Sequence, residues 1–233
     1  MKKAIVTGGT RGIGEGVARS LAASGWSVIA ASISESELEA FEPQDGIEVR
    51  LLDVTDQASV DILFSDLSHL DGLVNCAGIL VRGEEYDIEV FTKVLDVNLT
   101  GTMRCCLAAQ PLLAKRNGAI VNTASMLSTF GGPLVPAYSA SKGGVAQLTK
   151  ALAGKWADDG IRVNAIAPGW IETEMTQGLR ENPDRTAGIM ARTPLKRWGK
   201  PEEVGALVNW LVSEQASFVT GSIYPVDGGY LAM

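Results

Sequence analysis

The segment Ala4–Gly14, which reads AIVTGGTRGIG, decides the fold. Its first four residues predict a short strand, and Gly8, Gly12 and Gly14 come directly before an amphipathic run that ends at Ala23. A strand that turns at once into a helix needs residues without a Cβ, and such a turn lets a phosphate approach backbone N–H groups at the helix N-terminus. The segment therefore predicts the first β–turn–α unit of an α/β fold, with a phosphate-binding turn.

The same alternation of strands and helices continues along the chain. Short runs that are apolar on both faces predict strands at Ala4–Thr7, Ser27–Ala31, Glu48–Leu52, Gly72–Asn75, Ala119–Thr123, Arg162–Ala165 and Ser222–Pro225. Amphipathic runs predict helices at Gly14–Ala23, Ser59–Leu67, Val90–Lys115, Ala137–Ala157 and Pro201–Leu211. This order predicts a doubly wound parallel sheet of about seven strands with helices on both faces. We expect one domain over 1–233, in which the irregular, polar segment 172–200 is an insertion that covers the substrate.

Composition excludes several classes of protein. With 20 basic and 27 acidic residues the net charge is −7, which argues against a general binder of nucleic acid. Three cysteines and one histidine form neither a disulfide framework nor a zinc motif, so we expect no metal. No run is long and apolar enough for a membrane span, and the N-terminal apolar run is too short for a signal peptide. We therefore expect a cytoplasmic protein that binds no membrane.

The segment YSASK, Tyr138–Lys142, carries the candidate chemistry. Residues four apart lie on one face of a helix, so both side chains can enter one pocket. A nearby ammonium favours the phenolate and brings a tyrosine pKa, normally about 10, towards the range useful in acid–base catalysis. The spacing is common in proteins, and by itself it describes a pair on a helix surface equally well.

The surrounding motifs resolve this ambiguity. TGGTRGIG at 7–14, Asp53 after the third strand, NCAG at 75–78, Asn98 in VNLTG, Ser125 in NTASM and PGWIET at 168–173 occur in order around YSASK. With these motifs the chain resembles the short-chain dehydrogenase/reductase family over essentially its whole length. The resemblance implies a single-domain Rossmann fold and an NAD(P)-dependent oxidoreductase that interconverts a ketone and a secondary alcohol.

The resemblance also implies roles for individual residues. Tyr138 is expected to move the proton, Ser125 to bind the substrate oxygen, Lys142 to bind the nicotinamide ribose and lower the tyrosine pKa, and Asn98 to hold a water that completes a proton relay. Expected cofactor contacts are Gly8, Thr10, Arg11, Gly12, Ile13, Gly14, Ser32, Asp53, Val54, Asn75, Ala77, Gly78, Tyr138, Lys142, Pro168, Gly169, Ile171 and Thr173. Cys76 replaces the second asparagine of the usual NNAG, and we interpret it as a small buried residue rather than a reactive thiol.

The end of the second strand bears on the choice of cofactor. The position where the family usually carries an acid is Ser32, so no carboxylate there is expected to repel a 2′-phosphate. Arg11 is placed to reach that phosphate, and Ser34 can donate to it. The nearest acids, Glu35 and Glu37, are expected to face solvent at the start of a helix. These residues favour NADP(H) over NAD(H).

The sequence leaves more than one class of substrate open. The motifs are most similar to those of 3-oxoacyl-(acyl-carrier-protein) reductases, which act on acyl thioesters. Acidic residues at Asp158 and Asp159 disfavour docking of an acidic carrier, although Lys115 and Arg116 lie near, so a sugar, polyol or small-ketone dehydrogenase is an alternative. Trp170, Met126 and Leu127 indicate a partly apolar pocket. A non-catalytic dinucleotide-binding sensor is a further alternative, and the family implies a homo-oligomer, a dimer or tetramer.

Overall fold

The computed structural model describes residues 1–233 and contains one seven-stranded parallel sheet. The strand order is β3-β2-β1-β4-β5-β6-β7, which confirms the predicted doubly wound α/β fold. The strands are β1 Lys3–Thr7, β2 Ser27–Ser32, β3 Ile47–Leu51, β4 Gly72–Asn75, β5 Ala119–Thr123, β6 Arg162–Pro168 and β7 Ile223–Val226. The order reverses between β1 and β4, and ligands of such sheets bind in the crevice at the carboxyl ends of the strands there.

Nine helices cover the sheet. They are α1 Gly12–Ala23, α2 Glu35–Ala40, α3 Gln57–Ser65, α4 Ile88–Leu95, α5 Gly101–Leu113, α6 Pro136–Lys155, α7 Gln177–Arg180, α8 Pro183–Arg192 and α9 Pro201–Val212. No helix combines the length and the apolar character that crossing a membrane requires.

Two hydrophobic cores lie on opposite faces of the sheet. Successive residues of a strand point to opposite faces, so Ile5 joins the core formed with α3, α5 and α6, while Val6 joins the core formed with α1 and α9. Helices α1 and α9 meet through glycines. A Cβ on Gly205 would lie 2.8 Å from the carbonyl oxygen of Gly16, so the two backbones pack closely only because both residues are small.

The predicted helix Val90–Lys115 is not continuous. A π turn, Asp96–Thr100, separates α4 from α5. Asn98 lies in this turn. Its side-chain oxygen accepts a hydrogen bond from the Ile79 N–H at 2.8 Å, and its side-chain nitrogen donates one to the Ile79 carbonyl oxygen at 2.9 Å. The prediction of one regular helix was wrong here because a long-range side-chain bond, invisible in the periodicity, accompanies the widened turn.

The segment 172–200 is more regular than its composition indicated. It contains α7 and α8, and Asn182 caps α8 by accepting a hydrogen bond from the Arg185 N–H at 3.0 Å. Pro183 occupies the first turn of that helix, where the missing N–H has no helical partner to lose. The segment was predicted to be irregular, but Pro183 begins a helix.

Candidate active site

A cleft of about 1560 Å³ runs along the carboxyl ends of the central strands. Most of the predicted cofactor contacts line it, namely Gly8, Arg11, Gly12, Ile13, Gly14, Ser32, Asp53, Val54, Ala77, Gly78, Tyr138, Lys142 and Thr173. The other predicted contacts, Thr10, Asn75, Pro168, Gly169 and Ile171, do not line it. The side chain of Asn75 is instead buried between β4 and β5, where it donates to Asn122 at 2.9 Å.

The glycine turn has the geometry that a pyrophosphate needs. Gly8 and Gly12 adopt positive φ angles of 62° and 53°, and a Cβ on Gly14 would overlap the carbonyl oxygen of Gly8. Arg11, the N-cap of α1, makes no side-chain capping bond, so no cap competes for the first N–H groups of the helix. This uncapped helix end at the cleft fits the phosphates of a dinucleotide.

Tyr138 and Lys142 share one face of α6, as predicted. The Lys142 side chain is buried, and its Nζ donates to the carbonyl oxygen of Thr123 at 2.6 Å, at the end of β5. The same Nζ lies 5.5 Å from the centroid of the Tyr138 ring. The ammonium is therefore held between the end of β5 and the phenol.

Ser125 and Asn98 flank this pair. Ser125 is buried two residues after β5, and its Oγ accepts a hydrogen bond from the Leu127 N–H at 3.1 Å, which leaves its O–H free to donate. The amide nitrogen of Asn98 donates to Ile79 and, at 3.0 Å, to Ser141 of α6. Asn98 thus joins the π turn, the loop after β4 and α6, while its role in a proton relay stays a prediction.

Glu85 is a site residue that the sequence did not indicate. It is fully buried, and its two carboxylate oxygens accept from the backbone N–H of Val81 at 2.9 Å and of Tyr138 at 2.8 Å. In sequence it stands in the polar run Glu84–Asp87, which reads as a solvated loop. No spacing rule links it to Tyr138, 53 residues away.

The prediction that Glu37 faces solvent was wrong. Its carboxylate accepts from the hydroxyls of Ser32 at 2.6 Å and Thr10 at 2.9 Å, and it lies 3.3 Å from Nε of Arg11. The first turn of α2 folds back over β2, because Ser34 caps the helix by accepting from the Glu37 N–H. A carboxylate therefore does stand at the end of β2, although it comes from five residues further along the chain.

Comparison with known proteins agrees with this geometry. The family model described as enoyl-(acyl carrier protein) reductase matches residues 8–231. The chain belongs to the short-chain dehydrogenase/reductase family. It is 40% identical to a 2-dehydro-3-deoxy-D-gluconate 5-dehydrogenase of Bacillus subtilis, over 99% of this chain and 95% of the relative. It is 39% identical to a 3-oxoacyl-(acyl-carrier-protein) reductase of Thermotoga maritima, over 98% and 97% of the two chains.

A solved structure is equally similar. A proposed 2-deoxy-D-gluconate 3-dehydrogenase of Agrobacterium tumefaciens, with bound NADP, superimposes with a TM-score of 0.91 at 40% identity. The match covers 100% of this chain and 97% of the other. This short-chain dehydrogenase/reductase is accordingly an NAD(P)-dependent oxidoreductase that acts on small carbonyl or alcohol substrates.

The pKa of Tyr138 in this dehydrogenase site is raised, whereas the sequence predicted a lowered value. Burial raises the pKa of Tyr138, the neighbouring Ser125 hydroxyl lowers it, and the charge of Glu85 raises it again. Burial also lowers the pKa of Lys142 to about 8. Burial thus outweighs the hydrogen bond from Ser125, and the lowering of the tyrosine pKa by Lys142 stays a prediction. The positive charge of an oxidised nicotinamide, when bound, would further favour the phenolate.

Because the pKa of Lys142 is about 8, we predict that the enzyme binds its cofactor less well as the pH rises through that value. The side chain is charged below that pH and neutral above it, and only the charged form donates strongly to ribose hydroxyls. We expect kcat/KM for the reduced cofactor, which reports ionisations of the free enzyme, to fall about tenfold per pH unit above about pH 8. Steady-state rates over a range of pH test this, and a flat profile through about pH 9.5 would contradict it.

Cys76 was expected to be a small buried residue, but it is only partly buried and lines the cleft. Burial raises its pKa to about 11, so at neutral pH it is a thiol and a weak nucleophile. Its Sγ accepts a hydrogen bond from the Thr123 hydroxyl at 3.5 Å, which joins the residue after β4 to the end of β5 at the wall of the cleft.

Proposed function

We propose that this enzyme interconverts a secondary alcohol and a ketone on a small polyhydroxylated substrate of the sugar or polyol type. The observation that carries the reaction is the juxtaposition of Tyr138, Ser125 and Lys142 at the carboxyl end of β5. The substrate class is supported by relatives named for 2-dehydro-3-deoxy-D-gluconate, at 39% and 40% identity.

Tyr138, Ser125 and Lys142 each have a separate role in the proposed reaction. The nicotinamide, when bound, accepts or donates the hydride. During oxidation the Tyr138 phenolate takes the hydroxyl proton, and during reduction the phenol returns it to the carbonyl oxygen. The Ser125 hydroxyl donates a hydrogen bond to that oxygen and so stabilises the negative charge that develops on it. Lys142 holds a positive charge beside the phenol and, by the family pattern, binds the ribose.

Acyl-carrier substrates, the reading that the motifs favoured, receive less support. The two basic residues near the docking face are already engaged, since Arg116 pairs with Asp71 at 3.0 Å and Lys115 donates to the Ser68 carbonyl at 3.2 Å. Asp159, an acidic residue at the same face, accepts a hydrogen bond from Gln110. An acidic carrier protein would meet this face with like charge.

The choice of cofactor depends on Glu37, and we propose a preference for NAD(H). The preference for NADP(H) depended on the absence of a carboxylate at the end of β2. Burial raises the pKa of Glu37, but hydrogen bonds from Ser32 and Thr10 and the charge of Arg11 together hold it below its usual range. The charged carboxylate binds the donors that a 2′-phosphate needs, and it can accept from ribose hydroxyls. NADP is bound in the Agrobacterium relative and, at low occupancy, in a solved structure from Beutenbergia cavernae that is 37% identical to this chain, and both favour NADP(H) instead.

The variant Glu37→Gln tests this preference. Removing the charge frees Arg11 for a phosphate, so the ratio of kcat/KM for NADP to that for NAD should rise about tenfold or more. Glu39→Gln, which changes an exposed residue of the same helix, should leave the ratio unchanged. A wild-type enzyme that already prefers NADP, or a ratio indifferent to Glu37, would refute the role of this carboxylate.

A homo-oligomer is part of the proposal. Members of this family associate through their two long helices and the C-terminal segment. Here α5 and α6 are the two longest helices, and Met233 at the end of the chain is 82% exposed. Sedimentation of the purified chain measures the state directly.

A substrate panel tests the function as a whole. Sugars, alditols, sugar acids, simple ketones and 3-oxoacyl thioesters are offered with both cofactors, and nicotinamide absorbance is followed. We expect turnover of polyhydroxylated compounds to exceed that of simple ketones and thioesters. Preferred turnover of a thioester would restore the acyl-carrier alternative.

A further inference from the structure

Three arginines line a second cavity in this molecule. It has a volume of about 310 Å³, and Arg82, Arg185 and Arg192 line it together with Trp170 and Tyr230. Arg82 follows β4, and the other two arginines belong to α8 in the insertion. Arginines from distant parts of the chain thus line one small cavity, in a protein whose net charge is −7.

These arginine side chains have no carboxylate or hydrogen-bond partner within the protein. None of the three side chains lies within 4.0 Å of a carboxylate or donates a hydrogen bond. Every other arginine side chain has a carboxylate or carbonyl partner. Arg197, for example, donates to both oxygens of Glu203 at 2.7 and 2.6 Å. The three arginines are exposed at the mouth of the cavity, and together they leave there a positive charge that no carboxylate pairs with and that can attract an anion.

Aromatic rings hold this charge in place. The guanidinium of Arg192 stacks on Tyr230 at 4.4 Å and lies 5.9 Å from the ring of Phe130. Tyr230 in turn packs edge-on against Trp170, with ring centroids 6.3 Å apart. The indole Nε1 of Trp170 is the one buried side-chain donor without an acceptor. The wall of the cavity is thus a stacked cation with a spare N–H donor in the same aromatic cluster.

The cavity is continuous in sequence with the catalytic cleft. Gly78, Ile79 and Leu80 line the cleft, and Arg82, two residues later, lines the cavity. A Cβ on Gly78 would lie 3.6 Å from Nζ of Lys142. Four residues span at most about 14 Å, so the Cα of Arg82 lies within that distance of Gly78 at the wall of the cleft.

We propose that this cavity binds a carboxylate of the substrate, so that the enzyme acts on sugar acids rather than neutral sugars or alditols. Guanidinium groups bind carboxylates through two parallel charge-assisted hydrogen bonds. The inference deepens the proposed function, since it names which polyhydroxylated compounds the same site accepts. It assigns Arg185 and Arg192 to substrate recognition and leaves the proton chemistry with Tyr138.

The test uses substrate pairs that differ in one group. D-gluconate and D-glucitol share their hydroxyls and differ only at C1, and D-galactonate and D-galactitol form a second pair. Acetoacetyl-CoA serves as a thioester bearing phosphates. Wild-type enzyme is compared with Arg185→Gln, Arg192→Gln, the double variant and the control Arg50→Gln, whose side chain pairs with Glu48 and Asp66 away from the cleft.

We expect wild-type kcat/KM for the acids to exceed that for the alditols by about tenfold or more. Each arginine variant should lower kcat/KM for the acids about tenfold, mainly through KM, because one charge-assisted hydrogen-bonded pair is lost. Alditol kinetics and the Arg50→Gln control should stay within about twofold of wild type, a margin of about 0.4 kcal/mol. Loss on acids and alditols alike, or equal wild-type use of both, would overturn the inference while the proposed function stands.

Binding separates the remaining outcomes. Titration calorimetry of D-gluconate and D-galactonate into cofactor-loaded enzyme measures the carboxylate site without turnover. Saturable binding that the double variant loses supports the inference even when no acid is oxidised, and the proposed function then fails alone. Absence of saturable binding to wild type overturns the inference. Preferred turnover of acetoacetyl-CoA, lost in the arginine variants, would assign the arginines to a phosphate and also overturn it.

Discussion

Turnover should fall about 10³-fold in the variant Tyr138→Phe, while the dissociation constant of the cofactor changes by less than about twofold. The substitution removes one hydroxyl, the only group at this position that can give or take the substrate proton. The ring remains, so its contact with Lys142, 5.5 Å from Nζ, should persist and the cleft should keep its shape. Steady-state kinetics and cofactor titration on the same preparation give both quantities.

Tyr224→Phe is the matched control. Tyr224 lies in β7, where its ring packs against Trp210 at 5.8 Å, and it should tolerate the loss of its hydroxyl. Wild-type turnover in Tyr138→Phe would exclude the tyrosine as the proton donor. A wild-type protein that binds cofactor and turns over no carbonyl or alcohol would instead favour a dinucleotide-binding sensor.

The second large effect is expected from Glu85→Gln. The glutamine keeps one acceptor, but its amide NH₂ faces a backbone N–H of Val81 or Tyr138, so one buried charge-assisted hydrogen bond is lost and a donor meets a donor. We expect the free energy of unfolding to fall by about 2–3 kcal/mol, measured by urea denaturation. The start of α6 should shift, and a small displacement of Tyr138 should lower kcat at least about tenfold.

A pH profile distinguishes positioning from general damage in this variant. The charge of Glu85 raises the pKa of Tyr138. Removal of that charge should therefore shift to lower pH the part of the pH–rate profile for oxidation that reports the ionisation of Tyr138. Glu84→Gln, at the exposed neighbour, should change neither stability nor this pH dependence. If the stability of the variant falls but the pH dependence assigned to Tyr138 does not shift, Glu85 has only a structural role.

The sequence predicted what depends on local pattern. Each of the seven strands was expected, and β4 and β5 have the predicted bounds, because runs that are apolar on both faces are distinctive of a covered parallel sheet. Tyr138 and Lys142 were predicted to share a face of one helix because that relation depends only on spacing. The bounds of β6 were less accurate, since its extension to Pro168 depends on pairing with β7.

What the sequence did not reveal depends on distant contacts. Glu85 reads as one acid among several until the fold places it under Tyr138, and Glu37 reads as a solvated acid until α2 turns back onto Ser32. The arginines of α8 belong to a segment that was interpreted only as an irregular cover. In each case the residue type was visible, but its neighbour was set by tertiary structure.

The π turn at Asp96–Thr100 changes the direction in which the side chains of α5 point relative to those of α4. An α-helix advances about 100° per residue, so one residue gained within a turn rotates everything after it by that amount relative to what came before. Helix α4 packs against α6, whereas α5 packs against α3 and the strands β4 and β5, so the turn lets successive helices of one segment face different partners. Asn98 lies at this turn, where its side chain holds the backbone of Ile79.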